Sequence, residues 1–258
     1  MPHLELAFRP GRTTLGAAMV AAAIGLASSA HAECRDAAGP KINWSGCSKT
    51  SLVLGGSNLA EANMAKAMLT STTLERATLK GAKMGETELS FVRLDGADLT
   101  GADLSRAVGW RTNFRGATLA NANFEMAQMS RANFEKAKLA GASFLKSEVN
   151  RSDFREADLT GAVMAKAELA RVDLTKAKLD GVDFSYSNLS RARLDGAQFK
   201  GTKLKGAYLY RAQVGGADLS AAAELTQGQI DLACGTPQTK LPAGLAVPKT
   251  WPCTAEDD

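Results

Sequence analysis

The segment Ala97-Asp98-Leu99-Thr100-Gly101-Ala102-Asp103-Leu104 states one phrase twice, five residues apart: a small residue, a short acid, a bulky apolar residue. It returns as Ala132-Asn133-Phe134-Glu135-Lys136. From Leu54 to Leu219, every fifth residue makes 34 positions, and 33 of them hold Leu, Phe, Met or Val; the exception is Gly109. Two places before each, from Ser57 to Ala217, 33 positions hold only Ala (22), Ser (4), Thr (4) or Val (3). Nothing is inserted or lost along the run. A period of five matches neither the 3.6 of a helix nor the 2 of a strand. The chain is a repeat array, and each repeat must turn the backbone.

The composition agrees. Of 258 residues 45% are hydrophobic, an ordinary share, but 46 are alanine and only 6% are aromatic. A core built on so few bulky side chains is thin, and the 22 alanines at the small position show where it lies. With 31 basic against 27 acidic residues, the chain is neither a strongly acidic nucleic-acid mimic nor a strongly basic nucleic-acid binder.

The pattern A-(D/N)-(L/F)-x-x, carried by the residues quoted above over about two thirds of the chain, resembles the pentapeptide-repeat family. That resemblance implies an all-β fold, a right-handed quadrilateral parallel β-helix in which each pentapeptide forms one face and twenty residues complete a coil. Packing is consistent with it: a narrow square tube has room for one bulky residue per face only beside a small one. Coils would stack about 4.8 Å apart and satisfy one another's backbone groups. Proline cannot join such a ladder, and none occurs between Pro40 and Pro237. Thirty-four faces at four per coil predict about eight and a half coils in a rod roughly 40 Å long. The expected organisation is a signal peptide over 1–32, an N-terminal cap over 33–53, the repeat β-helix over 54–219 and a C-terminal cap over 220–258.

With twenty residues per coil, residues twenty apart stack. One inner column reads Leu94, Phe114, Phe134, Phe154, Leu174, and another places Phe124 and Phe144 between Leu104 and Met164. These are core ladders, and a tube this thin leaves no room for a cofactor. One outer corner reads Ser71, Phe91, Arg111, Arg131, Arg151, Arg171, Arg191, Arg211. Six stacked arginines are a candidate basic strip for repeated phosphates or carboxylates, or else a solvated edge partly compensated by Glu148, Asp153, Glu168 and Asp173. Arg193 adds to the charge. Another corner, Gly81, Gly101, Asn121, Gly141, Gly161, Gly181, Gly201, suits a turn at positive φ and is read as structural.

Gly109 breaks the core pattern, and an unfilled hole there would cost about 3–5 kcal/mol. Either Trp110 or Val108 folds inward to fill it, or Met68, Phe91, Val108 and Trp110 form an exposed apolar patch for a partner protein. Tyr186, Tyr208 and Tyr210 form a smaller aromatic group near the other end.

Arg9 and Arg12, an apolar stretch from Leu15 to Leu26 and then Ser28-Ser29-Ala30-His31-Ala32 read as a secretory signal peptide cleaved after Ala32. No transmembrane segment is expected after cleavage, and the compartment is periplasmic or extracellular. Cleavage removes both histidines, His3 and His31, so Ser-His-Asp and Cys-His chemistry and imidazole metal sites are excluded. No catalytic residue, cofactor or metal is expected. Cys34, Cys47, Cys234 and Cys253 flank the repeats, and four exported cysteines read as two disulfides with three possible pairings. A rod with ends about 40 Å apart favours Cys34–Cys47 and Cys234–Cys253. Thr226 and Gln229 match a capping box, with Gly235 suited to the end of a short helix. The stretch after it, to Pro252, reads as extended and laid back on the last coil with Trp251 as anchor, and it resembles the tail that follows the repeats in some bacterial pentapeptide-repeat proteins.

The sequence supports two functional readings over an enzyme. The first is a non-catalytic exported scaffold that presents flat faces to a protein partner or an anionic envelope polymer, with no nucleic acid involved. The second is what the resemblance implies, an acidic rod that mimics duplex DNA and engages DNA gyrase in the cytoplasm. The repeat block departs from that role, since it carries 24 basic and 19 acidic residues.

Overall fold

Each pentapeptide must place five backbone N–H groups, and the structure shows where all five go. The computed structural model describes residues 34–253, so the segment read as a signal peptide lies outside the described residues. In the repeat Leu59-Ala60-Glu61-Ala62-Asn63, the bulky residue donates to the next coil (Leu59 N to Thr78 O, 2.7 Å), as does the corner residue (Glu61 N to Lys80 O, 2.8 Å). The small residue closes the turn (Ala62 N to Leu59 O, 3.1 Å), and the bridging residue donates to the previous coil (Asn63 N to Ile42 O, 2.8 Å). One N–H is left, that of the residue after the bulky one, and the short polar side chain of the motif takes it: Asn58 Oδ1 accepts from Ala60 N at 3.1 Å. The same bond recurs at Asp98, Asp103, Asn133 and Asp183. The Asp or Asn of the motif is therefore an acceptor that completes the backbone account.

Parallel bridges pair residues twenty apart from Asn43↔Asn63 to Lys203↔Ala223 without a slip, which defines four faces. Face 1 carries Asn63, face 2 Met68, face 3 Thr73 and face 4 Thr78, each with its stacked successors. The coil register thus begins at Asn43, upstream of the apolar pattern that starts at Leu54. The pattern is hidden there because Trp44 and Lys49 hold the bulky inward positions. Lys49 is buried with its ammonium 4.0 Å from the Trp44 ring and 3.4 Å from Asp36 O, and burial pulls its pKa down. The apolar stem fills the tube while the charged end closes its mouth.

Inside, Phe114, Phe134 and Phe154 stack at 4.8 and 4.6 Å, and Phe124 on Phe144 at 4.6 Å, so the rings repeat at the rise of the coils. The two columns meet edge to face at 5.8 Å. Where Thr or Ser replaces Ala at a buried small position, its hydroxyl donates to a carbonyl 23 residues back, as in Thr87 to Met64 O, Thr112 to Leu89 O and Ser152 to Met129 O, or to the carbonyl three residues back, as in Ser147 to Phe144 O and Ser187 to Phe184 O. Those bonds remove the cost of burying the hydroxyl.

The fifth residue of every repeat lies in the left-handed region. Gly81, Gly101, Gly141 and Gly161 do so, but so do Arg111 to Arg211, Lys66, Glu86, Phe91 and Tyr186, with φ between 55° and 69°. The glycine column is therefore not distinguished by its backbone: all four corners share one conformation, which costs an L-residue about 1–2 kcal/mol and is held by the ladders on either side.

At the C-terminal end a short helix, α1 (Gln227–Leu232), takes the place of face 2 in the last turn. The stack resumes beyond it at wider spacing, Gln213↔Cys234 and Asp218↔Lys240. Thr226 and Gln229 form a reciprocal capping box, and Gln229 Nε2 donates to the open carbonyls of Leu204 (2.7 Å) and Ala207 (2.8 Å). Gly235 does not end α1, whose C-cap is Ala233. It is glycine because a Cβ there would overlap the Trp251 ring, and Trp251 seals the tube with Nε1 donating to Ala233 O at 2.7 Å. Disulfides Cys34–Cys47 and Cys234–Cys253 tie down the two ends, which would otherwise expose unpaired edges.

The motif carboxylates have a measurable consequence. Thr100 and Thr160 hydroxyls hold Asp98 and Asp158 below the ordinary carboxylate value. At Asp153 and Asp183 burial opposes, and the bonds from Arg155 and Ser185 outweigh it. Ser220 and Lys240 bring Asp218 down to about 2. A carboxylate whose folded pKa is depressed contributes stability that is full above the unfolded value, near 3.9, and is lost as pH falls through the folded value. The melting temperature is expected to stay flat between about pH 7 and 5, where no histidine titrates in residues 33–258, and to fall between about pH 4 and 2. Equal melting temperatures at pH 7 and pH 2.5 would overturn this account.

Candidate binding faces

The arginines occupy one corner because that corner follows face 2 in every coil, so residues 111, 131, 151, 171, 191 and 211 share a vertical edge. Arg111, Arg131, Arg151 and Arg171 are exposed; Arg191 and Arg211 are half-buried. The compensation expected from neighbouring acids is absent. Asp153 is taken by Arg155, Asp173 by Arg193 at 3.2 Å, and Glu168 accepts from Asn188 Nδ2 at 2.8 Å. Among the described residues, no carboxylate comes within ion-pairing distance of Arg111, Arg131, Arg151, Arg171 or Arg191. The acids reach other partners first: Asp153 bonds Arg155 two residues along its own coil, and Asp173 and Glu168 bond residues twenty away on their own faces.

Two members of the edge lie against aromatic rings instead. The Arg111 guanidinium sits 4.4 Å from the Trp110 ring centroid and that of Arg211 sits 5.4 Å from Tyr210. Toward the C-terminal end, Arg171, Arg191, Arg193, Arg211 and Gln213 line an open cleft of about 340 Å³. In the sequence Arg193 is only added charge next to Arg191. Its place beside the edge follows from its bridge with Asp173 and Gln213 on face 3.

The apolar patch lies on face 2. Phe91 and Trp110 meet edge to face at 5.0 Å, and Met68, Phe91, Val108 and Trp110 stay 38–48% exposed. Neither Trp110 nor Val108 turns inward at Gly109, which corrects the expectation that one of them fills the hole. Met129 from the next coil fills the site with its flexible thioether, and a Cβ on Gly109 would overlap Met129 Sδ and Thr112 Oγ1. Met126, Tyr186, Tyr208 and Tyr210 lie on the same face or its corners, all exposed. Most of the large apolar side chains that the repeats leave in solvent thus gather on one side of the tube.

Among the described residues there is no cluster of three or more potential metal ligands, and no helix is long and apolar enough to cross a membrane. The carboxylates recur with the repeat along open faces.

A stacked parallel coil with one pentapeptide per face defines a solenoid of the quadrilateral β-helix class. The pentapeptide-repeat model matches residues 52–85, 74–108 and 87–125, and the pentapeptide repeat region model matches residues 127–209. The chain belongs to the pentapeptide-repeat family, whose solved members have the right-handed quadrilateral β-helix. It is similar to QnrB1, a plasmid-mediated fluoroquinolone resistance protein, with 21% identity over 68% of this chain and 91% of that one and a TM-score of 0.52. It is also similar to HetL, a pentapeptide repeat protein involved in heterocyst differentiation regulation in the cyanobacterium Nostoc, with 27% identity over 79% and 91% of the two chains and a TM-score of 0.49. A third relative is a pentapeptide repeat protein of the Arabidopsis thaliana thylakoid lumen, 27% identical over 50% of this chain and 82% of that one, with a TM-score of 0.32. A comparison with curated proteins finds no match.

Proposed function

We propose that this chain is an exported, non-catalytic binding protein that presents its solenoid faces, in the periplasm or outside the cell, to an anionic polymer of the envelope or to a protein partner. The observation that carries the reading is the corner of stacked arginines, of which Arg111 to Arg191 meet no carboxylate among the described residues. Like charges one coil apart repel, and a polyanion laid along the edge would relieve that repulsion with bidentate contacts. The signal-like residues 1–32 and the paired cysteines support an oxidising compartment. The Phe91–Trp110 pair favours a protein as the second kind of partner. A gyrase-directed DNA mimic needs acidic faces, whereas this repeat block is net positive.

Retention on heparin is expected to fall with salt, and replacing Arg131, Arg151 and Arg171 by Ser is expected to flatten the log–log slope by about 2. Unchanged retention in the triple variant would sink the basic-edge reading. Cell fractionation checks export independently: cytoplasmic protein with reduced thiols would overturn it.

A further inference from the structure

On face 3, beside the basic edge, Asn113 and Asn133 are neutral, Asp153 pairs with Arg155, and Asp173 accepts from Arg193 at 3.2 Å, the single acid bonded to a guanidinium of the cleft among the ion pairs described. The next two residues of that column are Arg193 and Gln213. The result is a local concentration of guanidiniums, from Arg171, Arg191, Arg193 and Arg211, around the cleft of about 340 Å³. Half-burial of Arg191 and Arg211 distinguishes this end of the edge from the exposed arginines before it.

On the face 2 side of the same corner, Tyr208 and Tyr210 hold their rings nearly parallel, 10° apart with centroids 6.1 Å apart. Both are exposed, and Tyr210 is joined to the cleft through Arg211. Beneath them in their columns stand Asn188, whose amide is engaged with Glu168 and Ser190 N, and Ser190, whose hydroxyl can bond a ligand hydroxyl group. Cations alone would suit any polyanion. Cations beside a pair of exposed aromatic rings and neutral hydrogen-bonding groups match a ligand that carries carboxylates on hydroxylated, partly apolar rings.

We propose that this end of the solenoid binds an acidic oligosaccharide of the polyuronate class, its carboxylates on Arg191, Arg193 and Arg211 and a sugar ring against Tyr208 and Tyr210. The coil rise, 4.6–4.8 Å by the stacked phenylalanines, is of the order of the spacing of successive charges along such a chain, so one carboxylate can meet each coil. The inference rests on reading the arginine corner as a polyanion edge, and it assigns that edge a defined terminus with a chemical class of ligand.

The test is calorimetric titration of the intact protein with oligogalacturonate, its neutral methyl ester, inorganic polyphosphate and oligodeoxythymidylate. Saturable binding of oligogalacturonate, at least about tenfold stronger than of the other three, is expected. The double variant Arg191→Gln/Arg193→Gln should lose about tenfold or more and Tyr210→Ala about fivefold, while Lys83→Gln, exposed on face 1, loses nothing, each with an unchanged melting temperature. Equal binding of the methyl ester, preference for polyphosphate or for the oligonucleotide, or indifference to both cleft variants would each overturn the proposal. If oligogalacturonate does not bind while heparin retention still depends on Arg131, Arg151 and Arg171, the cleft assignment fails and the basic edge stands; loss of both dependences removes the two readings together.

Discussion

Replacing Phe134 by Ala is expected to lower the unfolding free energy by about 3–5 kcal/mol, the largest loss for any single side chain of the repeats. Phe134 is fully buried and lies at the centre of the phenylalanine cluster. It stacks on Phe114 at 4.8 Å and on Phe154 at 4.6 Å, and meets Phe124 and Phe144 edge to face at 5.8 Å. Truncation removes four ring contacts at once. The cavity cannot collapse, because the coils above and below are held apart by their backbone ladders at a fixed rise. Ala132 offers no side chain long enough to swing into the hole. Phe91→Ala is the matched control: the same ring is lost from an exposed corner, and the expected cost is about 1 kcal/mol or less. Urea denaturation of both variants checks the contrast. A loss below about 1 kcal/mol at Phe134 would show that the ring columns do not bear the core.

Gly109→Leu restores the repeat pattern and is nonetheless expected to destabilise the protein, by about 1–3 kcal/mol. Read along the chain, leucine at 109 completes an array of 34 bulky residues. In space the site is already full, since the first atom of any side chain at 109 overlaps Met129 Sδ and Thr112 Oγ1. Thr112 is also committed, its hydroxyl donating to Leu89 O at 2.9 Å. Combining Gly109→Leu with Met129→Ala should return part of the loss, a coupling of about 1–2 kcal/mol in a double-mutant cycle. A single variant more stable than the parent would show that the site is empty.

These two variants show how the core and its exception differ in legibility. The Phe134 column can be read from the text, because residues twenty apart stack once the five-residue period is joined to the four-faced coil that the family resemblance implies. The occupant of the Gly109 site cannot, because Met129 is an ordinary member of the pattern and only its side-chain path distinguishes it. Gly235 is a similar case. Its spacing from Thr226 suggests a helix end, yet the close approach of Trp251, sixteen residues later, requires the missing Cβ. Lys49 escaped the pattern because a charged residue stood where an apolar one was sought, although its apolar stem does the same packing work.

The candidate site divides in the same way. Its arginines, tyrosines and apolar residues were visible as columns, since a vertical column needs only the period and the four-faced coil that the resemblance implies. Their electrostatic state was not. Acids close in sequence to Arg151 and Arg171 pair with Arg155, two residues on in the same coil, and with Arg193, one coil on along the same face, and not around the corner. The acid-free stretch of the arginine edge and the cleft at its C-terminal end emerge only from those pairings.

The sequence alone determined the five-residue repeat, the inward and outward sides and the role of small residues, since each follows from five residues repeated without insertion, and through its resemblance to the pentapeptide-repeat family it implied the four-faced coil and the stacked columns. Tertiary structure decided what fills Gly109, why Gly235 is glycine, where the coil begins and which arginines keep no acid. The physical reason is that these depend on contacts between side chains about twenty residues apart on successive coils, where rotamer and partner are chosen by space and charge after the backbone has been set.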